Sequence, residues 1–419
     1  MDSTLLGTPS VAEEAAWFLT PGHPNRGPLN DDPYPFFDRL REHDPVHKST
    51  TGAWLLTRHA DVLALLQSTD YTRDVKARRL ASLPAGAPNE ARPALRLIES
   101  GMLWRDPPDH TRLRRLVQRS FGPSAIREWT PRIEQIARSL LEDLRVRDEF
   151  DLLHDFAAKL PGVVITEMIG MPPEHGEVYA RWSEAAIVIQ DPGRTEDELA
   201  EADRLALDCL AYFDELVAEK ARNPGDDILS GLLEADKYED DRATHDEIVG
   251  MCILLHVAGH ETTSNVIANG VYHLLTQRDQ YQLLRDDPDL ATSAVEEILR
   301  YDVSARNTMP RWATNDTAVA GVPIAEGDLV LGVFGAAHRD PARFDDPHRF
   351  DITRPDNQHL AFGFGIHYCL GARLARAESE AALRVLASEC PELELAADNV
   401  VWRDSLILRA LVGLPVAWA

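Results

Sequence analysis

Phe362-Gly363-Phe364-Gly365-Ile366-His367-Tyr368-Cys369-Leu370-Gly371 sets one cysteine among three glycines and leads straight into a helical pattern. Glycine lets the backbone turn tightly and approach something flat or bulky. The thiol stands at a predicted helix N-terminus, where the macrodipole and free N–H groups favour a thiolate. A thiolate ringed by backbone amides serves as a metal ligand or as a nucleophile. A buried structural cysteine in a glycine-rich turn is the plainer alternative. The loop alone does not separate the three.

The loop sits in a chain of 419 residues with 69 acidic and 43 basic side chains, a formal charge of −26. Hydrophobic residues make up 44% and charged residues 27%, as in an ordinary globular protein. The charge excludes a nucleic-acid-binding protein that works through bulk positive charge, and a general affinity for anionic membrane. Residues 1–24 have no basic n-region and carry Asp2, Glu13 and Glu14, so they do not read as a secretory signal. The longest apolar run, 251–255, is far short of a membrane span. Cys209, Cys252, Cys369 and Cys390 form no CxxC pair, which argues against a disulfide framework and a structural zinc site. The expectation is a soluble, reduced, cytoplasmic protein.

Helical periodicity dominates. Helices are predicted over 131–144, 149–169, 174–190, 195–222, 226–234, 289–301 and 370–388, with a breaker at Asp191-Pro192-Gly193. Thr244 and Glu247 form a capping box opening a helix of about 30 residues, apolar nearly all round from 251 to 258. Strand signals are short: 53–57, 318–324, 329–334 and 410–416. The fold class is therefore mainly α with a small β region, and no repeat or long linker divides it.

Three further runs carry polar groups where an apolar helix would not. Ala258-Gly259-His260-Glu261-Thr262-Thr263 interrupts the buried helix with a glycine, an acid and two threonines. Glycine lowers helix propensity, and threonine can bond back to an i−4 carbonyl, so a local opening suited to proton transfer is expected. Glu297 and Arg300 share one helix face. In Asp106-Pro107-Pro108-Asp109-His110-Thr111-Arg112-Leu113-Arg114-Arg115-Leu116, a turn of about 100° per residue groups His110, Arg114, Val117 and Phe121 on one side. Arg112, Arg115 and Arg119 fall on the other.

The cysteine loop resembles the haem-binding loop of the cytochrome P450 family, Phe-Gly-x-Gly-x-His-x-Cys-Leu-Gly, and the match continues through Ala372-Arg373-Leu374-Ala375-Arg376. The resemblance spans about 31–418. It implies the cytochrome P450 fold over 31–419 as a single haem-centred unit, with 1–30 carrying no assigned motif. Its implied cofactor is haem b, with Cys369 as the iron ligand that promotes O–O cleavage. Phe362, Gly363, His110, Arg114, Arg311 and His367 are the other implied haem contacts, the last four at the propionates. Thr262 and Glu261 match the family's alcohol and acid for proton delivery. Glu297, Arg300 and Arg349, the last in a similar segment at 338–350, are the implied structural cluster.

The resemblance also implies a monooxygenase that takes electrons from a ferredoxin and its NAD(P)H-dependent reductase, uses O2, and hydroxylates a small or medium organic molecule of secondary-metabolite or xenobiotic type. A monomer without nucleic-acid or membrane partners is expected. Arg112, Arg115, Arg119, Arg373 and Arg376 form the expected basic surface for the acidic donor. Leu254, Val257, Ala258, Val303, Ser304, Arg306 and Ile407 are the expected pocket lining, with contributions from 71–103 and 182–190. Between Asp70 and Glu99, Arg73, Lys76, Arg78, Arg79, Arg92 and Arg96 outnumber the acids. With Arg306, they suggest an anionic group on the substrate. A haem-thiolate sensor that binds without turnover is the second class; the Glu261–Thr262 pair favours the enzyme, because binding alone needs no proton delivery. A nucleophilic-cysteine enzyme is third, since no His and Asn/Asp order around Cys369 requires it.

Overall fold

The computed structural model describes residues 9–82, 91–190, 194–235, 242–397 and 399–418. The breaker at 191–193 and the stretch 83–90 of the basic segment lie outside them. The organising element is the helix His245–Thr276, 32 residues long and buried on nearly every side. Its start is fixed by the capping box: the Glu247 N–H donates to Thr244 Oγ1 at 3.2 Å, and the Thr244 N–H donates to Glu247 Oε2 at 2.8 Å. A Cβ at Gly270 would stand 2.5 Å from Ile298 Cδ1, so only glycine lets the helix Ala291–Tyr301 seat this close. Helices Lys159–Ile169, Gly176–Val188 and Ala372–Glu389 also pack against the long helix, and Ala372–Glu389 packs on Pro123–Leu144 as well.

Two predicted helices are redrawn for identifiable reasons, while the strand expected at 318–324 is the hairpin Thr317–Val319 and Val322–Ile324, and that at 410–416 is Pro415–Trp418. The helix expected to open at Pro131 runs Pro123–Leu144; Pro123 takes the first-turn position and Pro131 lies inside. The segment 149–169, read as one helix, begins with a strand, Glu149–Asp151, then a wide turn at Leu153–Ala157 before the helix Lys159–Ile169. The strand is drawn out by pairing with Pro415–Trp418, which also pairs with Leu393–Leu395. A five-stranded sheet runs in the order Val46–Lys48, Trp54–Leu56, Leu329–Gly332, Arg311–Ala313, Tyr71–Thr72, with only the Trp54–Leu56 and Leu329–Gly332 pair parallel. It carries Arg311 to the site described below.

Residues 10–31 join the same unit. Ala15, Phe18 and Leu29 share a core with Leu55, Val333 and Leu406. Arg26, almost fully buried, pairs with Asp404 and donates to the carbonyls of Phe18 and Ser405 at 2.8 and 3.1 Å. The helices Val11–Phe18, Arg26–Asp31, Tyr34–His43 and His59–Gln67 were not among the predicted elements.

Candidate active site

The cysteine loop closes on itself before the helix begins. Gly363 and Gly365 hold φ of 69° and 71°, a region that favours glycine, and let the Cys369 N–H reach the Phe362 carbonyl at 2.8 Å. Helix Ala372–Glu389 starts after Gly371. The thiol lies at that helix start, as expected, but its titration runs the other way. Burial pushes the Cys369 thiol up, and the Gly371 N–H, Arg114 and Arg376 only partly offset it. The protein alone therefore does not make the thiolate; a bound metal ion would, because coordination deprotonates a thiol outright.

Cys369 opens into a cavity between the loop and the long helix. Phe362, Gly363, His110, Arg114, Arg311 and His367 line it, and Ala258, Thr262, Leu254, Val303 and Ser304 face it from the other side. The Thr262 hydroxyl donates to the Ala258 carbonyl at 2.7 Å, the back-bond expected at this opening. Three expected lining residues are elsewhere. Val257 and Ile407 are not part of the wall. Arg306 points away from it: its guanidinium donates to Asn30 Oδ1 at 2.6 Å and to the Leu408 carbonyl at 3.1 Å. Of the expected 182–190 contribution, Trp182 packs into an aromatic cluster with Tyr179 and Tyr212.

At one end of the cavity, positive charge collects with Asp106 as the carboxylate that offsets it in part. The His110 and His367 rings meet with centroids 4.1 Å apart and planes tilted by 55°. Arg73, 4% exposed, leaves Nε and Nη2 without partners, as do His110 Nδ1 and His367 Nε2. Burial, with Arg311 beside it, holds the Arg73 guanidinium down to about 9. Burial first, then Arg114 and Arg73, holds His110 down to about 4, and burial with Arg73 lowers His367 further. An unpaired buried cation is expensive, so this end is built for an anion. Arg73 was counted among the basic residues of 70–99 but not as part of this site; its place beside strand Tyr71–Thr72, which pairs with Arg311–Ala313, brings it there.

Beneath the loop, Glu297 and Arg300 form a fully buried bidentate pair at 2.7 and 2.8 Å. The third member is Arg354, not Arg349. Arg354 Nε donates to Glu297 Oε2 at 3.1 Å, whereas the Arg349 side chain is 62% exposed and pairs with Asp351 at 3.4 Å. Arg349 contributes its carbonyl, which accepts from Arg300 at 3.0 Å and Arg354 at 2.9 Å. Turns closed by Arg349 N–H on the Asp346 carbonyl and Arg354 N–H on the Asp351 carbonyl fold this segment, and they carry the Arg354 side chain to Glu297.

The cytochrome P450 family model matches residues 186–390. The chain is 41% identical over 388 residues to cytochrome P450 107B1 of Saccharopolyspora erythraea, covering 91% of this chain and 93% of that one. The chain belongs to the cytochrome P450 family. It is 38% identical over 395 residues to the 6-deoxyerythronolide B hydroxylase of the same organism, covering 92% and 96%. Among solved structures, P450BioI in complex with hexadec-9Z-enoic acid ligated acyl carrier protein matches with a TM-score of 0.86 at 35% identity, covering 93% of this chain and 99% of that one. This P450 is thus an oxidoreductase of the monooxygenase type, and its family's cofactor is haem b.

The cavity fits that cofactor on its own chemistry. A soft thiol stands on one wall, and the unpartnered nitrogens of Arg73, His110 and His367 would hold the cofactor's carboxylates. The expected donor surface is narrower than the sequence suggests. Arg112 is bound to Glu247 at 2.6 Å, so it braces the cap of the long helix. Arg376 is bound to Glu296 at 2.5 and 2.9 Å and lies over the Phe362 ring, pinned under the loop. Arg115, Arg119 and Arg373 are exposed.

Three of the arginines behind the anionic-substrate expectation are also engaged, while Arg96 is exposed. Arg79 pairs with Glu99 at 2.7 Å, Arg92 with Asp203 at 2.8 Å, and Arg78 lies over Trp312. These three and Arg306 are turned to other partners, whereas Arg73 lines the cysteine cavity. Glu261 does not face the cysteine cavity. It opens on the opposite side of the long helix, where Arg403 lies 3.7 Å from its carboxylate.

Proposed function

We propose that this P450 is a soluble, cytoplasmic, monomeric hydroxylase of a neutral small or medium organic compound, of secondary-metabolite or xenobiotic type, driven by a ferredoxin and its NAD(P)H-dependent reductase. Cys369 is the iron ligand; His110, Arg114, Arg311, His367 and the newly added Arg73 hold the propionates; Phe362 and Gly363 shape the proximal wall. The haem, when bound, supplies the activation of O2 that inserts one oxygen atom into a C–H bond.

This chain's own residues do the rest. Leu254, Ala258 and Val303 bind carbon by excluding water, while Ser304 Oγ and Asn307 Oδ1, both without partners and both on the wall, can orient a hydroxyl or carbonyl of the substrate. Thr262 holds its hydroxyl at the cavity, and Glu261 supplies the acid from the far side of the helix. The Thr262 hydroxyl on the wall opposite Cys369 is the observation that carries a turnover function over a sensor. Exposed Arg119 and Arg373 support an acidic electron donor.

The test is reconstitution. Compounds that shift the haem spectrum are incubated with the holoenzyme, ferredoxin, reductase, NAD(P)H and labelled O2. A product carrying one labelled oxygen is expected. In Thr262→Ala, haem content is unchanged but electrons are diverted to hydrogen peroxide, with product lowered by on the order of 10-fold or more. Full coupling in that variant would sink the role given to Thr262.

A further inference from the structure

Arg73 stands where the sheet should least tolerate a second cation. Strand Tyr71–Thr72 pairs antiparallel with Arg311–Ala313, Tyr71 against Ala313 and Thr72 against Trp312, so the next step brings Arg73 abreast of Arg311. Like charges directly opposite on neighbouring strands repel. Here both are also withdrawn from water, at 4% and 5% exposed. Both line the cysteine cavity, as does Arg114. A chain that keeps this repulsion in its core needs a reason beyond packing. Arg73 also lies outside the runs that carry the family resemblance.

Among the described residues, four charges act on one another at this end: Arg73, Arg114 and Arg311 against Asp106. The His110 and His367 rings add none near neutral pH, because burial and the surrounding guanidiniums hold both neutral. Asp106 is fixed in place, its carboxylate accepting from Thr72 Oγ1. Arg114 and Arg311 with Asp106 leave a surplus of one positive charge, and Arg73 raises it to two. Haem b brings two carboxylates. The set that includes Arg73 balances them; the set without it leaves one net negative charge beside the macrocycle.

We propose that Arg73, through its charge, makes the bound haem easier to reduce and so sets the potential at which the enzyme takes its first electron. The inference rests on the haem-thiolate reading of Cys369. One electron from the donor takes iron from ferric to ferrous, with no bond made or broken, so the site gains one negative charge. A fixed cation close by stabilises the state that has gained it. The chain's formal charge of −26 works the other way. Surface charge is screened by salt, whereas a buried guanidinium is screened much less. One buried arginine can therefore offset at the haem what the acidic surface imposes from afar.

The experiment is a reductive titration of the haem-loaded protein, without substrate or ferredoxin, followed by the reduced-CO spectrum. Arg73→Gln keeps hydrogen-bonding groups but not the charge. Its equilibrium for reduction should fall by on the order of 10-fold, the scale of one unit charge in a protein interior of effective dielectric constant about 20. For one electron that is a potential about 59 mV more negative. Arg73→Lys keeps the charge and should stay near the wild-type potential. Asp106→Asn removes the opposing charge and should move the potential the other way. An unchanged potential in haem-loaded Arg73→Gln, or an equal fall in Arg73→Lys, overturns the proposal, while an intact thiolate band leaves the haem-thiolate reading standing. Should Arg73→Gln bind no haem, Asp106→Asn decides, and a potential that does not rise overturns the proposal. A wild-type protein without the thiolate band would instead overturn the reading on which the proposal rests.

Discussion

Buried with Nε and Nη2 unpartnered and Asp106 offsetting its charge only in part, Arg73 strains the haem-free chain and should relax the loaded one. Arg73→Leu should therefore raise the melting temperature of the haem-free protein. It should also speed haem transfer to an apomyoglobin acceptor by on the order of 10-fold, the loss of one charge-assisted hydrogen bond. Equal transfer rates in the two proteins would remove Arg73 from the propionate site. This residue was not singled out from sequence, because nothing local distinguishes it from Lys76 or Arg78; only strand pairing brings it to Arg311. Cys369, by contrast, announces itself through its neighbours, since tight turns and a helix start are local properties. Its thiol behaviour was not legible, because burial is a property of the assembled molecule.

The helices that carry the site are joined by charges whose partners lie far apart in sequence. Glu296, in Ala291–Tyr301, meets Arg376 of Ala372–Glu389 and His359. Burial opposes its ionisation, but bonds to Arg376 and His359 prevail and bring it to about 2 from an ordinary 4.5. A depressed carboxylate stabilises the fold above its unfolded value and loses that contribution as pH falls, here between about 4.5 and 2. Glu296→Gln should flatten the loss of urea resistance across that window, and an unchanged slope would contradict the assignment. The Glu297 cluster makes a paired prediction. Arg354→Ala should cost about 2 kcal/mol in denaturant unfolding, a charged hydrogen bond, and Arg349→Ala less than about 0.5 kcal/mol. The reverse order would restore Arg349. The resemblance to a motif does not by itself choose between two nearby arginines; the turn closed by the Arg354 N–H on the Asp351 carbonyl, a feature of the folded chain, does. The Thr244–Glu247 box was legible in full, because both partners lie within one turn.

Across the whole molecule, the N-terminal segment and the C-terminal loop are one structure. Arg306 and Arg409, both buried, reach Asn30 and the Asp31 carbonyl, and Asn30 donates to the Trp402 carbonyl. No motif marks residues 10–31, and a buried arginine that bonds to backbone carbonyls leaves no local pattern. That is why Arg306 looked like a pocket cation. The long helix then divides the interior into a cavity facing Cys369 and a cavity facing Glu261, and the chemistry proposed above depends on that division. Its central claim is that Cys369, as thiolate, holds the haem iron. The direct measurement is the reduced-CO difference spectrum of the haem-loaded protein beside Cys369→His. The wild type should absorb at about 450 nm, as the family name implies for a thiolate ligand, and the variant should keep haem but lose that band. A wild-type band elsewhere, or the same band surviving in Cys369→His, would contradict the claim.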